Sequence, residues 1–156
     1  MAKKKKKQAQ KFSAKSYLKS GKARKLPIYD LKISKGWDQK RLAQVLVARE
    51  HKSGFLTFAA YLVDLLCCGV KDTYYQVNEP KSDYEEIKNN LQGPDNQLET
   101  IDYNTLHNII YGAVEFALDF GIPPHQDFTL TKMLLEEDDD HIPLVDIEFG
   151  EEGIPH

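Results

Sequence analysis

Residues 42–66 read LAQVLVAREHKSGFLTFAAYLVDLL, and this stretch decides the fold. Leu42 to Glu50 is rich in β-formers, His51-Lys52-Ser53-Gly54 is a short polar turn with its glycine last, and Phe55 to Leu66 resumes strand character. Two such runs joined by a short Gly-containing turn predict an antiparallel hairpin. The second arm is apolar at almost every position, so both of its faces are expected to be covered, as in a central strand backed by helices.

On the N-terminal side of the hairpin, Ile28, Asp30 and Lys32 alternate with Tyr29, Leu31 and Ile33. That period of two predicts a first strand ending near Gly36, with Trp37 and Asp38 in the connection. On the C-terminal side, Cys68 to Thr73 reads as a loop or short helical turn ahead of Tyr74 and Tyr75. Ser82 or Asp83 is placed to cap a helix through Leu91, and Gln92 to Asn96, with Gly93-Pro94, reads as a linker. Asp102 precedes the most regular helical pattern in the chain. Leu106, Ile109, Ile110, Ala113, Val114, Ala117 and Phe120 recur at spacings of three and four, and Gly121 stands where a helix ends. Pro123-Pro124 forbids continuation, and Gln126 or Asp127 starts a further short helix through Leu135. After five consecutive acids, Glu136 to Asp140, the alternation of Ile142 to Phe149 predicts a last strand or half hairpin, with Gly150 and Gly153 turning the end. The order is β-β-β-α-α-α-β, which predicts an α+β domain over residues 27–156, an antiparallel sheet with its helices on one side.

Charge divides the chain by position. Residues 1–78 hold 18 Lys and Arg against 5 Asp and Glu, and residues 79–156 hold 3 against 19, so the overall net charge of −3 conceals a basic half and an acidic half. Lys3, Lys4, Lys5, Lys6, Lys7, Lys11, Lys15, Lys19, Lys22, Arg24 and Lys25 are 11 of the 21 cations, and no acid precedes Asp30. Residues 1–26 have few apolar anchors (Phe12, Tyr17, Leu18, Leu26) and are expected to form a flexible Lys-rich arm that orders on a partner. Such an arm points to a polyanion, with nucleic acid first. Lysine ammonium groups neutralise phosphates as mobile point charges, so contact is expected to be strongly salt-dependent and poor in base specificity. Arg41, Arg49 and Lys52 extend the cationic set into the folded part. Lys32, Lys35, Trp37, Lys40, His51, Lys71, Tyr74 and Tyr75 lie on or beside the predicted strands, where cations interleaved with aromatics suit a single-stranded RNA platform. The competing readings for the arm are a solubilising tail, a localisation signal, a tether to an anionic membrane, a protein partner, or folding back on the chain's own acidic half.

The remaining candidates are acidic or imidazole groups. Asp64 stands in an otherwise apolar strand, and a buried carboxylate is costly unless it is paired or bound to metal. With Asp72 and an acid from Glu136 to Asp140 it offers hard oxygen ligands for Mg²⁺ in a metal-dependent nuclease or phosphoesterase. The alternative role for Asp64 is to bond Lys71 or the backbone amides of the following turn. His107, Tyr111 and Glu115 are four apart and share a helical stripe, a general acid–base set or else a polar seam beside the core. Cys67 and Cys68 are adjacent, which disfavours both a disulfide and a structural metal pair, and they read as reduced buried thiols. No P-loop, GxGxxG, HExxH, GxSxG or paired CxxC is present, which argues against nucleotide hydrolysis, dinucleotide chemistry and structural zinc. No apolar run approaches the roughly 20 residues of a membrane span. The N-terminal lysines precede no apolar stretch of secretory type, so a cytoplasmic location is expected.

Two segments carry a resemblance. Val45 to Asn78 contains YLVDLLCCGVKD, and His107 to Phe149 contains IIYGAVEFA followed by GIPPHQDF. They resemble a bacterial group of uncharacterised proteins with YLVDxxCxGVKD and IIYGAxEFA…GxxPHxDF segments. The resemblance covers most of residues 27–156 and implies one complete domain to which the lysine arm is appended; it implies no activity, cofactor or site residue. The reading that results is a non-catalytic RNA-binding protein of a ribosomal or other ribonucleoprotein setting, without a cofactor. A nuclease using Asp64 and Asp72, and an interaction module of a toxin–antitoxin or defence system whose acidic half meets a basic protein, are the alternatives.

Overall fold

A computed structural model describes residues 14–156. Its frame is a five-stranded sheet in the spatial order β4-β3-β2-β1-β5, every neighbouring pair antiparallel. The strands are β1 (Ile28–Ser34), β2 (Leu42–Glu50), β3 (Leu56–Asp64), β4 (Gly69–Glu79) and β5 (Leu98–Thr100). The helices are α1 (14–19), the single turn α2 (Trp37–Lys40), α3 (Lys81–Leu91), α4 (Tyr103–Asp119) and α5 (Phe128–Thr131), with 3₁₀ turns at Ala23–Lys25 and Lys132–Leu134.

The hairpin forms as expected. Leu46 faces Ala60 and Val47 faces Ala59 across β2 and β3, and the turn closes with Gly54 N–H donating to His51 O and His51 N–H donating to Phe55 O, both at 2.9 Å. Period two then sorts the side chains. Val45, Val47, Ala59, Tyr61 and Val63 face one layer, built by Leu106, Ile109, Ile110 and Ala113 of α4 with Phe128, Leu130 and Leu134. Leu46, Ala48, Phe58 and Ala60 face the other, where Tyr84, Ile87 and Leu91 of α3 pack. Helices therefore lie on both sides of the sheet, not one. The cause is topological: β4 and β5 are opposite edges of the sheet, so α3, which joins them, must cross a face.

Helix α4 behaves as its sequence says. Asp102 Oδ2 accepts from Thr105 N–H and from Thr105 Oγ1, each at 2.9 Å, and these donors hold the Asp102 carboxyl below its ordinary range. At the other end Ile122 N–H donates to Ala117 O and Gly121 N–H to Leu118 O, the Schellman pairing, with Gly121 at φ +80°.

Four expectations change. The flexible arm was expected to reach residue 26, yet Leu18 and Ala23 are fully buried in the main core, so the folded body has begun by residue 14. Cys68 ends a turn, as read, but Gly69–Thr73 is not a loop: it is the start of β4, whose register slips where Leu62 faces Asp72 and Val63 faces Val70. The bulge breaks the alternation by which a strand is recognised. Helix α3 is preceded by Pro80, and no side chain caps it, so neither Ser82 nor Asp83 has the predicted role. The strand expected over Ile142–Phe149 is absent among the described residues. Asn108 of α4 holds that segment instead, donating to Pro143 O at 2.9 Å and accepting from Val145 N–H at 3.1 Å, while Phe149 lies over Gly112. Alternation reports one buried face, and here the covering partner is a helix.

Candidate nucleic-acid interface

The basic segment meets the body beside the hairpin turn. Leu18 is drawn into the core, and the Tyr17 ring lies 5.7 Å from His51, centroid to centroid. Pro27 O accepts from Glu50 N–H at 3.0 Å, which continues the attachment to the sheet. With these apolar groups turned in, Lys15, Lys19, Lys22 and Lys25 are exposed, and Lys52 is exposed in the turn itself. Lys3, Lys4, Lys5, Lys6, Lys7 and Lys11 lie outside the described residues. Tyr17 and Leu18 were legible only as isolated anchors, because a single turn of helix has no periodicity to read.

The chain's three arginines, all in the predicted phosphate-contacting set, each make contacts within the fold. Arg24 pairs with Glu137 at 3.3 Å and donates to Met133 Sδ. Arg41 donates to Glu148 O at 2.6 Å and Gly150 O at 3.0 Å, fastening the C-terminal segment. Arg49 is 4% exposed. Its Nε donates to Leu134 O and its Nη1 to Leu26 O, each at 2.7 Å, and its guanidinium lies 6.0 Å from the Tyr103 ring centroid. Burial lowers its pKa. The difference between the two cations is chemical: the guanidinium fork suits several fixed carbonyls at once, whereas lysine is a hydrated point charge on a mobile stem.

Helices pack on both faces of the sheet, α4 and α5 on one and α3 on the other. Trp37 and Tyr75 pack against the core, Lys32 donates to Thr100 Oγ1 at 2.7 Å, and Lys40 donates to Asp95 O. Lys35, Lys71 and Tyr74 remain exposed. Between the end of α3 and β4 a cleft of about 120 Å³ is lined by Gln44, Leu62, Asp72, Tyr74 and Leu91 among others, well below the usual volume of a ligand site.

Asp64 takes the structural role of its two readings. Its Oδ1 accepts from Leu66 N–H at 3.0 Å and Cys67 N–H at 3.3 Å, nucleating the β3–β4 turn. Asp72 is exposed; its Oδ1 accepts from Thr73 N–H at 2.9 Å and lies 3.9 Å from His125 Nε2. Among the described residues no three His, Cys, Asp or Glu side chains gather in a metal-binding group.

His107, Tyr111 and Glu115 do share a stripe, and it docks the acidic loop. His107 is buried with Nε2 2.8 Å from Glu136 O; a carbonyl only accepts, so Nε2 carries the proton. Tyr103 Oη accepts from Glu136 N–H at 2.8 Å, and the Tyr111 ring lies tilted against His107, 4.6 Å between centroids. The contacts of the seam's inner end are with the loop backbone. The outer end has chemistry of another kind: Glu115 is exposed, and a hydrogen bond with Asp138, ahead of partial desolvation and the charges of Asp138 and Asp119, raises its carboxyl to about 7. A raised carboxyl pKa means that the folded state binds the extra proton, so this group's stabilisation is present at low pH and is lost as pH rises through about 7. Thermal melts between pH 5 and 8 are expected to show the wild type losing stability relative to Glu115→Gln over that window; parallel curves would refute the raised pKa.

Comparison with protein-family models, with curated proteins and with solved structures returned no match. No helix among the described residues is long and apolar enough to cross a membrane.

Proposed function

We propose that this protein binds RNA without catalysis, through phosphate contacts made by its N-terminal lysines, in a ribosomal or other ribonucleoprotein setting in the cytoplasm. The observation that carries the reading is the exposed row Lys15, Lys19, Lys22 and Lys25, continuing the lysines of residues 3–11 on a segment with no acid before Asp30. Leu18 and Ala23 anchor that segment, so phosphate held by it is held by the body. The acidic side of the molecule supports selectivity. Arg24 already meets Glu137, and the rest of the Glu136–Asp140 run competes with weak polyanions for the neighbouring lysines.

The test is fluorescence anisotropy of the full chain with generic single-stranded RNA. Six phosphate contacts at roughly −0.7 each give a log–log salt slope near −4, a loss of about 300-fold in affinity between 50 and 200 mM salt. Replacing Lys15, Lys19, Lys22 and Lys25 by Gln is expected to flatten the slope by about 3. Absence of binding, or binding indifferent to salt, would refute the proposal.

A further inference from the structure

Cys67 and Cys68 occupy the turn, residues 65–68, that joins β3 to β4, and the structure alters the meaning of their adjacency. Adjacent side chains in a strand point to opposite faces, but these two follow one another in a turn held from both sides. From within, Asp64 Oδ1 accepts from the Leu66 and Cys67 amides. From without, Leu65 O accepts from Gly150 N–H at 2.8 Å and Leu66 O from His156 N–H at 2.9 Å. Gly69, at φ +66°, fixes the exit. Both thiols are free and half-buried, on consecutive residues of this one turn; Cys67, ahead of burial and of the nearby Asp64, raises the Cys68 thiol to about 11.

Three chemical limits narrow what such a pair binds. A trans peptide holds consecutive Cα atoms about 3.8 Å apart, below the span of roughly 4.4–6.8 Å that an unstrained disulfide uses. The chain has no cis peptide among its described residues, so the pair resists closing on itself. Zinc takes four ligands, and although Asp64 lies beside Cys68, no group of His, Cys, Asp or Glu able to hold a metal ion is found among the described residues. Two thiols on consecutive residues of one held turn suit a soft centre that needs two sulfur bonds and brings its remaining substituent with it.

We propose that Cys67 and Cys68 form a chelating dithiol site for a monosubstituted trivalent arsenical. The step balances without a redox partner. An arsine oxide, R–As=O, reacts with both thiols, two As–S bonds form, and the oxide oxygen leaves as water with the two thiol protons. The As–C bond is kept and arsenic remains trivalent. The elevated Cys68 pKa separates this chemistry from simple alkylation. Two units above the ordinary thiol value reduce the thiolate about 100-fold, partly offset by its greater nucleophilicity, so iodoacetamide is expected to label Cys68 about tenfold more slowly than a free cysteine. Chelation does not suffer in proportion, because the second As–S bond closes within the molecule.

The test uses the full chain and one equivalent of phenylarsine oxide, read by intact mass and by titration of free thiols. These two cysteines are the only ones in the chain, so nothing else competes. One adduct per chain is expected, with both thiols lost, resistant to millimolar glutathione and released by ethanedithiol. Cys67→Ser and Cys68→Ser are each expected to give an adduct that glutathione removes at least 100-fold more readily. No adduct, two adducts per chain, or a wild-type adduct stripped by glutathione would overturn the proposal, and these outcomes are read on the wild type even where a variant fails to fold.

Discussion

Arg49→Met is expected to lower the urea midpoint of unfolding by about 1.5 M, a loss of about 3 kcal/mol at an m-value near 2 kcal/mol per M. Arg49 leaves β2 and ties together two segments distant from it in sequence: the end of the N-terminal segment through Leu26 O and the 3₁₀ turn through Leu134 O. Methionine retains much of the side-chain volume but offers neither carbonyl a donor. An unsatisfied buried carbonyl costs about 1–3 kcal/mol, so two cost about 2–6 kcal/mol. The offset is the desolvation of the guanidinium, already visible in its lowered pKa, which the substitution relieves. Arg49→Lys separates geometry from charge, since one ammonium on a flexible stem does not reproduce the two fixed bonds. It is expected to recover less than half of the loss. A shift below about 0.5 M in Arg49→Met, or full recovery in Arg49→Lys, would show that the two carbonyls find other donors or that charge alone matters.

The same residue shows where reading the sequence stops. Arg49 stands at the end of an obvious strand, next to an obvious turn, and its composition class says surface. Its burial is decided by Leu26 and Leu134, which reach it from 23 and 85 residues away. Local patterns were legible wherever one element settles them. The hairpin of residues 42–66 follows from a period of two broken by a glycine turn, and α4 from Asp102, its apolar stripe and Gly121. β5 has three residues, too few for a period. β4 has eleven, but its bulge at Val70–Asp72 displaces the apolar positions by one, so the strand reads as loop followed by aromatics. The candidate interface divides in the same manner. Its lysines are visible as composition, whereas the carbonyl and carboxylate contacts of Arg24, Arg41 and Arg49 depend on the chain having folded.

Gly69→Ala is expected to destabilise the protein by about 2–4 kcal/mol, because two separate penalties fall on one methyl group. The residue sits at φ +66°, a left-handed conformation that costs an L-side chain on the order of 1 kcal/mol or more. A Cβ there also meets Ala113 O at 2.9 Å and Ala117 Cβ at 3.3 Å. The first of these is helix backbone and does not rotate aside, so α4 must retreat from β4, with an overpacking cost of about 1–3 kcal/mol. Ala113 and Ala117 are the reason that the strand approaches so closely, and Gly69 completes the contact from the other side. Gly121→Ala provides the internal standard. Gly121 has a similar φ of +80° with nothing within 4 Å of the added carbon, so it carries the backbone penalty alone, about 1 kcal/mol. The difference between the two variants measures the β4–α4 contact. Equal midpoints for both would mean that α4 does not press on the dithiol turn; Gly69→Val, branched as well as left-handed, is expected to exceed Gly69→Ala if it does.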